Sequence, residues 1–412
     1  MAASAIEFGL PRGAILFSAG GFSYEFREDL GASHHGQSLF LARRRTPDGH
    51  PRGKVLLKAI PDQSAASGNR VRRARAKLDE EVRLAEQLDH PGILKVLGLH
   101  KVYGYWYAVL EHPAGTSLAD LLTLVGERGT WFSPTLTLYI GMQVANALDH
   151  AHTAKDDHGK PLNIVHRAID VDRIFVDWDG SAQLADFGLA LCSLPGRITS
   201  SVRRPQGDFF YASPEALLGG KVDARSDLYS LGLVMLELAT GKCLLYPDEP
   251  VTAEKGSALS ERRRRRVTRA IRRATLAGMS PTVEDAIWRA ATYTEADVDE
   301  MTRKLPQSLR VLLGRLLAPS PAARYQSAQE LAGDIKAWMG GIFTKADAIA
   351  ELSRIAAKSL VGRRLEMGEA EEQEEAGPAS HEATTTARHL RTSPRASAKG
   401  PHGTDDGGSS RS

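Results

Sequence analysis

Strand-like and helix-like patterns occupy different parts of this chain. Up to about residue 110 the apolar runs are short and bounded by turns: Ser38-Leu39-Phe40-Leu41, Lys54-Val55-Leu56-Leu57-Lys58, Leu94-Lys95-Val96-Leu97 and Trp106-Tyr107-Ala108-Val109-Leu110. Runs of this length and punctuation read as strands. From about Pro134 to Met339 most apolar positions recur at helical spacing. One hairpin signal interrupts them, Asp179-Gly180 between Ile174-Phe175-Val176 and Gln183-Leu184-Ala185. Segregation of this kind predicts an α+β chain with a strand-rich unit followed by a helix-rich one. The stretch Ser226–Thr240 is apolar almost all round (Leu228, Leu231, Leu233, Val234, Met235, Leu236, Leu238), so it belongs in the middle of a domain. Ser226-Asp227 and Gly241 are its expected start and stop.

Composition narrows the function classes. With 412 residues, 42% hydrophobic and 25% charged, the chain buries a sizeable core and has room for two or three domains. A formal charge of +3 is too mild to imply nucleic-acid binding from the global balance. The two cysteines, Cys192 and Cys243, lack a C-x-x-C or metal-ligand companion, which argues against a disulfide framework or zinc site. Met1–Gly20 carries no basic segment followed by a long apolar block, and no run reaches the roughly 18 apolar residues of a membrane span. The expected location is the cytoplasm.

One carboxylate stands out before any family is named. Between Lys77 and Leu88, Leu78, Val82, Ala85 and Leu88 form a helical stripe, and at 100° per residue Glu81 falls near its centre. A carboxylate there faces the core and needs a cation, because burying it unpaired costs several kcal/mol. Lys58, flanked by Leu56, Leu57 and Ile60, is the natural partner. The alternative is that Glu81 sits at the stripe's edge and reaches solvent.

The order of motifs resembles the eukaryotic-type Ser/Thr protein kinases, including their bacterial branch, over roughly residues 22–340. Leu30-Gly31-Ala32-Ser33-His34-His35-Gly36 resembles the glycine-rich loop, with Ser33 at the middle glycine. Val55-Leu56-Leu57-Lys58 is similar to the strand of the phosphate-binding lysine, with Glu81 as its ion-pair partner, and Leu110-Glu111-His112-Pro113 falls at the adenine-binding hinge. Val165-His166-Arg167-Ala168-Ile169-Asp170 looks like the catalytic loop, Asp186-Phe187-Gly188 the metal-binding triplet, and Ser213-Pro214-Glu215 the Ala-Pro-Glu motif. Ser226–Gly232 matches the central helix, and Arg324 the late arginine that pairs with Glu215. The resemblance implies a bilobal kinase fold: an N-terminal extension over 1–21, a β-rich N-lobe over about 22–112 and a helical C-lobe over about 113–340. A basic insertion at about 246–304 departs from the family pattern; helical spacing predicts an extension at 341–365, and the acidic, then Ser/Thr/Gly/Arg-rich composition predicts a disordered tail at 366–412.

The departures bear on activity. Ala168 replaces the aspartate that accepts the hydroxyl proton, and a methyl group cannot do so. Asp170 replaces the lysine that stabilises the transferred phosphoryl group, inverting the local charge. Arg173 replaces the magnesium-binding asparagine; it lies six residues before the Asp-Gly turn and Asp186 six after it, so the hairpin brings the two together. A guanidinium has no acceptor and cannot ligate a metal. Asp208 stands where active relatives carry a threonine that touches base and lysine. The resemblance therefore implies a pseudokinase with no intact catalytic residue, acting as a regulatory or scaffold partner of an active Ser/Thr kinase. The rival is an active kinase in which Asp170 or Asp172 swings in as a substitute base.

Gly31, Gly36, Lys58, Glu81, Glu111 and Asp186 survive as nucleotide-binding positions, whereas Pro113 has no N–H for the adenine ring. Weak ATP binding is expected, with magnesium, held by Asp186 alone, in doubt. The alternative is that Arg173, Asp170 and Asp186 close a salt-bridge network that fills the site. Thr199, Ser200 and Ser201, near Arg203, Arg204 and the catalytic-loop Arg167, suggest a phosphorylation switch in the activation loop. The cluster from Arg262 to Arg273 predicts a helix with Val267, Ala270, Ile271 and Ala274 on its apolar side, which reads either as a solvated face or as a dock for an acidic partner. No aromatic residues interleave with these arginines, which disfavours nucleic acid.

Overall fold

Period-two alternation builds the first layer. Six antiparallel strands, β1 (Ile15–Ala19), β2 (Phe22–Ala32), β3 (Ser38–Arg45), β4 (Pro51–Pro61), β5 (Val96–Val102) and β6 (Tyr105–Glu111), form one sheet in the order β1-β2-β3-β4-β6-β5. The computed structural model describes residues 10–32, 37–61, 68–127, 129–194, 207–246 and 256–357. Gly36, Thr199, Ser200, Ser201 and the tail from residue 366 fall outside them. Along β4, Val55, Leu57 and Ala59 point to one face, where they join Phe17, Phe40, Tyr107 and Val109. Leu56, Lys58 and Ile60 take the other face. There Ile60 packs with Leu78 and Val82 of helix α1 (Gly68–Ala85). The same alternation that buries Leu57 thus aims Lys58 at α1.

The sheet begins earlier than the sequence suggested. β1 lies within residues 1–21, read above as an extension outside the domain. Phe17 stacks between Tyr24 and Tyr107 at 4.5 and 4.3 Å between ring centroids. Three aromatic residues buried together hold this strand on the sheet edge.

The second layer is helical. A three-stranded sheet of β7 (Thr116–Ser117), β8 (Ile174–Val176) and β9 (Ala182–Leu184) lies with α2 (Leu118–Gly126) and α3 (Pro134–Thr153) beneath the first. Then follow α4 (Pro214–Leu217), α5 (Ala224–Thr240), α6 (Glu261–Leu276), α7 (Thr282–Thr292), α8 (Glu295–Thr302), α9 (Gln307–Leu316) and α10 (Ala328–Met339). A last helix, α11, spans 345–357. This is the expected α+β arrangement, a β-sheet lobe followed by a helical lobe.

Helix α5 is the centre of the second lobe, and every residue from Ser226 to Leu236 is buried. It starts two residues before the expected Ser226. Asp223 is the cap, and Ser226 Oγ closes a capping box by accepting the backbone N–H of Asp223, while Gly241 ends the helix at φ 67°. The basic insertion is built into this lobe: Val267 and Ala270 of α6 are buried in its core, and Ile271 and Ala274 pack against it. Helix α11 closes over the β8–β9 turn. Ala348 and Leu352 are buried, Glu351 accepts the backbone N–H of Ser133 at 2.9 Å, and Lys345 meets Asp179 at 2.9 Å. Residues 358–365 of the expected helical extension fall outside the described residues. Among the described residues no helix is long and apolar enough to cross a membrane.

Candidate active site

Three elements converge between the lobes. From β4, Lys58 Nζ donates to Glu81 Oε1 of α1 at 2.6 Å and to Asp186 Oδ1 at 2.8 Å. Asp186 follows β9, in a left-handed conformation at φ 68°. Lys58 and Glu81 are both buried, so the pair is strong only because each satisfies the other. Burial alone would strip Lys58 of its proton, but Asp186 and Glu81 raise its pKa above the ordinary lysine value and keep it charged. Gly188 makes room for this arrangement, since a Cβ there would stand 2.7 Å from Glu81 Oε2. Phe187 is buried edge-on against His166, with centroids 4.5 Å apart.

Asp227 of α5 holds the loop that carries positions 166–173. Its carboxylate is fully buried and accepts the backbone N–H groups of His166 and Arg167 at 2.8 Å each, with His152 Nε2 also at 2.8 Å. His166 Nε2 donates to the Ala185 carbonyl at 3.1 Å, tying the loop to the Asp186 segment. Burial lowers the pKa of His166, which fits a neutral ring with one donor nitrogen. Arg167 donates through its guanidinium to the Leu189 carbonyl. The 166–173 loop is therefore tied both to α5 and to the Asp186 segment.

What the scaffold presents is different chemistry. Ala168 is 4% exposed. Gly207, at φ 72°, lies so close over it that a Cβ on Gly207 would meet the Ala168 Cβ at 2.8 Å. Arg173 bridges two carboxylates: its Nη1 pairs with Asp170, and its Nε donates to Asp186 Oδ2 at 3.2 Å. Asp186 is thus gripped by Lys58 on one oxygen and Arg173 on the other. Burial works to raise its pKa, yet Lys58 and then Arg173 hold it far below the carboxylate range. Asp170 also accepts the backbone N–H groups of Asp172 and Arg173, at 3.2 and 3.1 Å. Burial pushes Asp170 up to about 7 against the pull of Arg173, with Asp172 and Asp208 adding to the rise.

A pH dependence follows from Asp170. Its pKa is about 7 folded and roughly 3.9 in an unfolded chain. Between those values the folded state binds the extra proton, so this group's contribution to stability is full below about pH 4 and is lost as pH rises to about 7. Asp170→Asn removes the effect. The melting temperature of the variant relative to wild type should climb between pH 4 and 7 and level off above; a difference that stays flat over that range would contradict the assignment.

The profile of the protein kinase domain family matches residues 28–334. This chain belongs to the protein kinase family. Among its relatives, the serine/threonine-protein kinase PrkC of Bacillus subtilis is 27% identical over 283 residues, covering 69% of this kinase chain and 36% of the relative. The tyrosine-protein kinase MasK of Myxococcus xanthus is 30% identical over 204 residues, covering 49% of the chain and 30% of the relative. The serine/threonine-protein kinase BIK1 of Arabidopsis thaliana is 33% identical over 174 residues, 42% of each. The chain spans about 30% to 42% of the length of these relatives. PrkC and a probable serine/threonine-protein kinase of Clostridium perfringens, 26% identical over 282 residues, support a likeness to the eukaryotic-type Ser/Thr kinases.

The kinase fold in general binds ATP and magnesium. Against that background, Lys58, Glu81, Ala168, Asp170, Arg173 and Asp186 come together in one site, and Glu111 ends β6 at the hinge. Gly31 lies at φ 88° beside the Asp29 carboxylate, which accepts its N–H at 2.8 Å. His112 Nδ1 turns onto the Pro113 carbonyl at 2.8 Å. Sequence reasoning missed the part played by Asp227 as the clamp on the loop backbone. Its only signal was a carboxylate at a position in a helix that is buried all round, which demands hydrogen-bond donors from elsewhere.

Proposed function

We propose that this kinase-family chain is a pseudokinase that acts as a regulatory or scaffold partner of an active Ser/Thr kinase. The observation that carries the reading is Arg173. Its guanidinium bridges Asp170 and Asp186 where the fold's metal ion would bind between protein carboxylates and nucleotide. Magnesium does not fit: a cation already neutralises Asp186, and the neighbouring ligand position offers only N–H donors. Asp170, which a substitute-base mechanism would recruit, is buried and committed to Arg173 and two backbone donors.

ATP fits in part. Lys58 and Arg173 are already paired with Glu81, Asp170 and Asp186, and Pro113 supplies no hinge donor, a loss of about 0.5–1.5 kcal/mol. Binding is accordingly weak and indifferent to magnesium. The site's remaining value is conformational: Lys58–Glu81 and Phe187 hold α1 against the second lobe, the arrangement by which one kinase fold can be read by another protein.

The test is transfer of radiolabelled γ-phosphate by the wild-type chain, to itself and to a generic acceptor. None above the level of a chain-free control is expected. Transfer that disappears in Asp186→Ala would refute the reading. A second reading, a kinase of unorthodox mechanism, has one observation in its favour. Asp208 follows Gly207, which packs on Ala168, and its charge is felt by Asp170 and Asp172, so a carboxylate returns near the lost base. On that reading Asp208→Asn abolishes whatever transfer the wild type shows.

A further inference from the structure

Four of the arginines of α6 face away from the fold. Val267 and Ala270 anchor the helix, and at 100° per residue the opposite side carries Arg262, Arg265, Arg269 and Arg272, all exposed. Arg265 pairs with Glu261 one turn earlier, an exposed pair of little energetic weight. From Arg262 to Arg273 the chain holds eight arginines and no carboxylate. A stripe of like charge on one helix repels itself and costs helix stability, a cost that a complementary anion offsets.

The same chain carries the complement. Between Glu366 and Glu375 there are six glutamates and no lysine or arginine. That segment lies beyond residue 357, the last described residue of α11. We infer that the 366–375 segment docks in cis on the arginine stripe of α6, covering it until a stronger acidic partner displaces it. Reach permits this: eighteen residues separate 357 from 375 and span up to about 60 Å extended, whereas a folded unit of some 350 residues has a radius of gyration of only about 20 Å. A tethered segment also acts at an effective concentration on the order of millimolar, which favours the chain's own tail over a second copy at ordinary concentrations. The inference does not depend on whether the active site transfers phosphate.

The probe is a fluorescein-labelled peptide of residues 366–375, titrated by anisotropy into two full-length chains at low ionic strength, where charge pairs are least screened. One is wild type. The other has Glu366, Glu369, Glu371, Glu372, Glu374 and Glu375 all changed to Gln, which vacates the stripe without shortening the chain. The neutralised-tail chain is expected to bind the peptide at least about tenfold more tightly than wild type. Adding Arg262→Ser, Arg265→Ser, Arg269→Ser and Arg272→Ser, all at exposed positions, should remove that binding. Equal binding by the two chains, no binding by the neutralised-tail chain, or binding indifferent to the arginine changes would each overturn the inference. A wild-type dimer that forms at low salt and is lost with the same arginine changes would assign the pairing to a second copy and overturn the cis arrangement.

Discussion

Changing Ala168→Asp, Asp170→Lys, Arg173→Asn and Asp208→Thr together is expected to bring γ-phosphoryl transfer to at least about 100-fold above the chain-free control, the lower end of what a positioned general base contributes. The expectation rests on how much of the machinery stands already. Lys58 contacts both Glu81 and Asp186, Asp227 holds the loop backbone at the N–H groups of residues 166 and 167, and Phe187 is seated against His166. Within this cluster the differences lie in the side chains at positions 168, 170, 173 and 208. The single change Ala168→Asp should do much less, because Arg173 would still occupy Asp186 and would offer the new carboxylate another ion pair instead of a substrate proton. A quadruple variant that folds, binds ATP with magnesium and still transfers nothing would mean that the cleft itself, including the hinge at Pro113, has been rebuilt for another purpose.

The largest effect on stability is expected at Arg324. Its side chain is fully buried and makes a bidentate pair with Glu215 at 2.8 and 3.0 Å. It donates further to the carbonyls of Ala318, Pro319 and Arg225, and lies over the Tyr229 ring at 4.6 Å. Arg324→Ala leaves Glu215, whose other partner is Ser226 at 2.6 Å, as an uncompensated buried charge. Breaking one side of such a pair costs about 3–5 kcal/mol, enough to lower the melting temperature by several degrees. The double change Glu215→Met with Arg324→Met removes both charges and should recover much of that loss. A single variant within about 0.5 kcal/mol of wild type in denaturant unfolding would show that water reaches the pair.

Much of the site was legible because local periodicity decides it. Glu81 was expected in the core from its phase on α1, Lys58 as its partner from its apolar neighbours Leu56, Leu57 and Ile60, and the meeting of Arg173 with Asp186 from equal counts on either side of the Asp179-Gly180 turn. Each inference needed only a period, near neighbours in sequence or a short-range turn. What stayed hidden depends on contacts distant in sequence. The grip of Asp227 on the backbone of His166 and Arg167 spans about sixty residues, and no pattern in either segment announces it. β1 was missed because its run, Ile15-Leu16-Phe17, is too short to stand out until Tyr24 and Tyr107 are seen to enclose Phe17. The start of α5 was misplaced because Ser226 has the chemistry of a cap but serves as the far side of the box that Asp223 opens.

The measurement that tests the account most directly is the thermal stability of the full chain with ATP, with and without magnesium, in wild type and in Arg173→Asn. A ligand present at about 100 times its dissociation constant adds roughly 2.7 kcal/mol, a shift of readable size. If Arg173 stands where the metal would, magnesium leaves the wild-type response to ATP unchanged, and Arg173→Asn makes that response depend on magnesium. A wild-type response that requires magnesium and vanishes in Asp186→Ala would show a working metal site and contradict the account.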